Sequence, residues 1–99
     1  MPDTVRSALS HALEALDGLQ QLGEDVEDEW TYVTDLGEAW RERLEAVADE
    51  RGDDPLPEGR AAAVDRAIQE AGLITDPHRA IDWMSTFPQV VLVAVGERP

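Results

Sequence analysis

The chain contains no cysteine. That absence removes disulfide cross-links, a thiolate nucleophile and zinc sites of the finger or ribbon type, so stability has to come from packing. Lysine is missing as well, all 8 basic residues being arginine. Phosphate binding through a P-loop lysine, Schiff-base chemistry and a lysine general base are therefore excluded. Long apolar runs are also lacking: the longest, Val90 to Val95, is far too short to span a bilayer. Met1 to Asp17 holds no basic segment followed by an unbroken apolar stretch. These features read as a cytoplasmic protein with no membrane association.

Positive charge is scarce. Against 22 acidic residues the 8 arginines leave a formal charge of −14, which repels phosphate backbones and anionic lipid surfaces and argues against a nucleic-acid partner. Lysine-free acidity suits a high-salt cytoplasm. It is also what a GC-rich genome writes through its Arg, Ala, Asp, Gly and Pro codons, and the codon explanation is the preferred one.

What is present suffices for one core. Ninety-nine residues with 42% apolar content match a single folded domain spanning 1–99. No proline occurs between Pro2 and Pro55, and this stretch carries a heptad pattern. Steps of four and three from Val5 reach Leu9, Ala12, Leu16, Leu19, Gly23, Val26, Trp30, Val33, Gly37, Trp40, Leu44 and Val47. The row is apolar or glycine throughout, whereas fourteen of the thirty intervening positions are charged. Such a contrast predicts helix with one buried stripe over 4–52, and Ala8, Ala15, Leu22 and Leu36 widen the stripe to that of a bundle helix. A single helix of that length would run about 72 Å, so a break is favoured over one continuous helix. Gly18 and Gly23 bracket the best place for it, and Gly23 followed by Glu24 and Asp25 reads as a cap meeting a new helix start, although the heptad phase survives across Gly23.

Asp53-Asp54-Pro55-Leu56-Pro57-Glu58-Gly59 is the linker, 53–59, because paired prolines forbid a continuing helix. Short helices follow over 60–96. Ala61, Val64, Ile68 and Ala71 define one face of the first, with Gly72 placed to cap it. Asp76-Pro77 opens the next, which contains Ile81, Trp83, Met84 and Phe87, with Pro88 ending or kinking it. The valine-rich tail from Gln89 to Val95 reads as helix, since nothing else offers a strand to pair with it. The predicted fold is all-α: a helical hairpin or bundle in which the heptad segment is packed by two or three shorter C-terminal helices.

Candidate chemistry is thin. Glu24, Asp25, Glu27, Asp28 and Glu29 offer hard oxygen donors, but no Glu-x-x-His pair accompanies them, and a solvated helix start explains the charge better. His11 lies near Glu14, and His78 stands four residues before Asp82, a spacing that could orient a general base. No nucleophile can be assigned to either, because Ser7, Ser10, Thr75 and Ser85 read as caps or surface residues. No catalytic residue, cofactor or metal is assigned. The three tryptophans carry more weight, since tryptophan is enriched where partners bury surface. Trp30 and Trp40 fall on the buried row, so the domain's own core is their simplest destination, while Trp83, Met84 and Phe87 present more apolar surface than one short helix normally buries, to be covered either by the valine-rich tail or by another chain.

The favoured function is a non-enzymatic acidic protein-interaction or assembly module, homodimeric through the aromatic stripe and the Trp83 to Val95 surface, with Trp30, Trp40, Trp83, Met84 and Phe87 as the contact residues. An alternative is an acidic inhibitor or antitoxin-like protein that masks a basic site on a partner; thirteen acidic residues and three arginines between Glu24 and Asp54 favour it. A metal-dependent helical-bundle enzyme is the second alternative, resting on Glu24, Glu27 or His78.

Overall fold

The computed structural model describes residues 3–97. Four helices account for most of them: α1 (Val5–Gly23), α2 (Trp30–Arg51), α3 (Glu58–Gly72) and α4 (Pro77–Ala94), with a 3₁₀ turn at Glu27–Glu29. The all-α bundle expected from the apolar periodicity is the observed architecture. The segment 4–52 is two helices folded against each other, and its break follows Gly23.

α1 starts at Thr4, whose extended backbone lets its side-chain oxygen accept the Ser7 N–H at 3.2 Å, satisfying one of the donors a helix start leaves open. Two further open donors find an unusual source. Val5 N–H and Arg6 N–H donate to the carbonyls of Asp54 and Gly52, at 3.1 and 3.0 Å, just beyond the end of α2. Leu56 N–H closes the clamp by donating to the Asp3 carbonyl at 2.9 Å. The linker thus returns the chain to its own beginning. Gly52 must be small there, because a Cβ would overlap the Ala48 carbonyl and the Arg6 guanidinium.

Gly23 ends α1 for a reason different from the expected cap. Its φ is not positive; the residue is buried, and a Cβ would sit 3.0 Å from Ile81 and 3.3 Å from Val33. Close packing of α1, α2 and α4 selects glycine. The same contact places Val33 over Gly23, so the apolar row resumes in register after the turn. Gly72 likewise has ordinary backbone geometry. The left-handed cap belongs to Gly96, at φ 90°, where Gly96 N–H donates to the Val93 carbonyl and Glu97 N–H to the Leu92 carbonyl, the Schellman arrangement that closes α4.

α4 runs through Pro88 without ending. An interior proline costs about 3 kcal/mol. Phe87, Val91 and Leu92 around it are fully buried, and each contributes on the order of 1.5–3 kcal/mol of burial, so the apolar gain exceeds the cost. α4 packs on α1, α3 and α2, and α1 on all three others; α2 and α3 therefore flank a central α1–α4 pair. Leu9, Leu16, Val33, Leu44, Val64, Met84 and Phe87 share one core, and no polar or charged residue among those described is buried.

Candidate interaction surface

The five tryptophan-region candidates separate. Met84 and Phe87 have no exposed surface. They lie inside the chain's own core because α4 is covered on several sides by the other helices, and this corrects their assignment to an interaction surface. Trp30 goes the other way. It is 52% exposed, although the other members of its row are buried or half-buried. As the first residue of α2 it precedes the point, at Val33, where the helix comes down onto its neighbours. Trp40 is half-buried against the core, and its indole Nε1–H is enclosed without an acceptor among the described residues. Trp83 is half-buried at the core margin and lines a groove with Glu70, Leu73, Ile74 and Arg79.

Trp83 belongs to a stripe that residue spacing sets on the outer side of α4. Arg79, Trp83, Thr86, Val90 and Val93 follow one another by four and three residues and so share one helix face. Val90 and Val93 are 42% and 56% exposed. The stripe contains no carboxylate; Asp82, on its flank, lines a different groove with Glu29, Tyr32, His78 and Ser85. Leu73, 81% exposed at the end of α3, extends the apolar surface past Trp83. The signal for this surface was in the sequence as the spacing 83, 86, 90, 93, hidden by the all-round apolar character of the tail.

The outer side of α2 has the opposite character. Asp35, Glu38, Glu42, Glu45 and Asp49, spaced by three and four, are all exposed and face away from buried Val33, Gly37, Leu44 and Val47. Two arginines of this helix are turned to structural use. Arg41 reaches back to Asp17 at 3.4 Å and to the Gln20 carboxamide oxygen at 3.2 Å, and glycine at position 37 leaves room for Gln20. Arg51 bridges Glu97 at 2.7 Å and Asp54 at 3.0 Å. Those hydrogen bonds, Glu97 first, raise the pKa of its guanidinium above its ordinary value.

A third surface is the groove between α1 and α3, about 520 Å³, with Ala15, Leu19, Leu22, Ile68, Ala71 and Ile74 on its walls and His11 and Glu14 at its edge. Among the described residues no hydrogen bond joins His78 to Asp82 or Ser85, although all three line one groove. No three histidine, aspartate or glutamate side chains among them converge to hold a metal ion, and Glu24 instead accepts a hydrogen bond from Gln20 at 3.0 Å. No helix of the described residues is long and apolar enough to cross a membrane.

No protein-family model matches this chain, and neither a curated protein nor a solved structure with significant similarity to it was found.

Proposed function

We propose that the protein is a non-enzymatic interaction module that pairs with a second copy of itself through the outer face of α4. The observation that carries the reading is a carboxylate-free stripe, half-buried Trp83 followed by exposed Thr86, Val90 and Val93, on a chain of charge −14. Two copies brought together through any acidic face repel; this face lets them meet with apolar side chains. In a two-fold contact every residue acts twice, so burying what is still exposed of Val90, Val93 and Trp83 gains roughly half of the ~1.5–3 kcal/mol of a full burial per side chain in each copy, set against the cost of association. Light scattering over a concentration series tests it. A dimer that tightens as salt screens the repulsion between the two copies supports the reading, and a chain that stays monomeric at high micromolar concentration in high salt removes it.

The acidic stripe of α2 favours a second reading, masking of a basic site on another protein. Salt separates the two, because capture of a basic partner weakens as salt rises whereas an apolar dimer of like-charged copies strengthens.

A further inference from the structure

We infer that the groove between α1 and α3 is a docking site for a cationic amphipathic helix supplied by a different protein. The groove is a shaped, open channel. Its floor and walls are aliphatic, built from Leu19, Leu22, Ile68 and Ile74. Gly18 and Gly72 line it as well, and a Cβ added at either meets no atom within 4 Å, so both glycines border empty space. The walls follow α1 from His11 to Leu22, about 16 Å of helix axis or three turns, a length that accepts several anchors of a helix laid into it. A shallower hollow continues the channel past Gly18 and Leu22 to Gln21 and Asp25.

Charge selects the occupant. Glu14 and Asp25 edge the channel, and no arginine lines it. With a net charge of −14 behind these carboxylates, the groove attracts a cationic ligand and repels an anionic one. A helix that buries leucine-like side chains between the walls and sets arginine or lysine against Glu14 and Asp25 meets both demands. A second copy of this chain suits it less well, because none of the described helices is net positive. α1 sets Arg6 against Glu14 and Asp17; α2 sets three arginines against six carboxylates; α3 sets Arg60 and Arg66 against Glu58, Asp65 and Glu70; α4 sets Arg79 against Asp82. The occupant is a foreign basic segment; its groove meets the hollow beside Trp83 at Ile74, whereas Val90 and Val93 of the α4 stripe line neither.

The test uses the full chain, isotopically labelled, titrated with a synthetic leucine–arginine amphipathic peptide of about 18 residues, or five helical turns. A peptide of the same composition in scrambled order serves as control. Backbone resonances of Ala15, Leu19, Leu22, Ile68 and Ile74 should shift with the amphipathic peptide and not with the scrambled one. Gly18→Trp, which fills the channel at a position with open space, should weaken binding about tenfold or more, the equivalent of losing one buried anchor. Glu14→Lys should weaken it several-fold at low salt and less at high salt. Glu38→Gln with Glu42→Gln, on the outer face of α2, should leave the groove shifts in place. Shifts confined to Asp35–Asp49, equal binding of the scrambled peptide, or unaltered affinity in Gly18→Trp with a native circular dichroism spectrum would each overturn the assignment. Repeating the titration in Val90→Glu separates the groove from self-association, since the groove shifts should persist there.

Discussion

Arg51, the last residue of α2, and Glu97, just beyond α4, meet at 2.7 Å and tie the second helix to the end of the fourth. Arg51 also holds Asp54 in the linker at 3.0 Å. One guanidinium thereby joins three parts of the chain. Arg51→Ala is expected to lower unfolding free energy by about 1 kcal/mol, since the pairs are partly solvated, measured by urea denaturation. The folded-state pKa of Arg51 is raised, so its contribution is complete below the unfolded value and lost only as pH climbs through the still higher folded value. Arg51 therefore adds no pH dependence to stability across the neutral range.

The glycines divide by conformation. Gly96 has φ 90° and a Cβ there would press on the Arg60 guanidinium, so Gly96→Ala should destabilise by about 1 kcal/mol or more. Gly18 sits in the middle of α1 with open space beside it, and Gly18→Ala should stabilise by roughly 0.5–1 kcal/mol through helix propensity. Thermal melts of the two variants should move in opposite directions.

Burial divides the aromatic region of α4. Phe87→Ala and Met84→Ala remove fully buried side chains and should cost about 3–5 and 2–5 kcal/mol respectively. Either loss is a large part of the stability of a domain this size. Trp83→Ala should cost less than these and shift the proposed dimer toward monomer, seen by sedimentation at matched concentrations. Equal destabilisation at positions 83 and 87 would place Trp83 in the core and remove it from the interface.

Val90→Glu tests the proposed pairing more cleanly, because Val90 is exposed and its replacement should change monomer stability by less than about 1 kcal/mol. In a two-fold contact it introduces a carboxylate on both copies. The expected outcome is a monomer at all concentrations with an unchanged helical spectrum; a dimer that survives the substitution would place the contact on another face.

The amino-terminal cap offers a local check. Thr4→Ala removes the acceptor for Ser7 N–H and should cost about 1 kcal/mol, while Thr4→Ser should retain most of the stability.

Much of the fold was legible because helices announce themselves by local spacing. The apolar row from Val5 to Val47, the reversal at Pro55 and Pro57 and the Asp76-Pro77 helix start all depend on residues a few positions apart, although the linker expected over 53–59 ends earlier, because Glu58 and Gly59 already belong to α3. The candidate surfaces were less so. A row of apolar residues predicts which face is buried only where another helix lies over it. Trp30 kept the spacing and lost the cover, because it stands at the first position of α2. Met84 and Phe87 exceed what a short helix alone buries, and the packing of α1, α2 and α3 around α4 encloses them.

By itself, then, the sequence determined the elements: helices from their period, a reversal from paired prolines, and the acidic character of the stretch from Glu24 to Asp54. Only the tertiary structure decided which apolar residues stay outside. α4 sits in the middle of the packing, so its valine-rich end divides into a buried side at Val91 and Leu92 and an exposed side at Val90 and Val93. That division depends on which helices lie against α4. Burial is a property of neighbours brought together from distant parts of the chain, and no local pattern contains them.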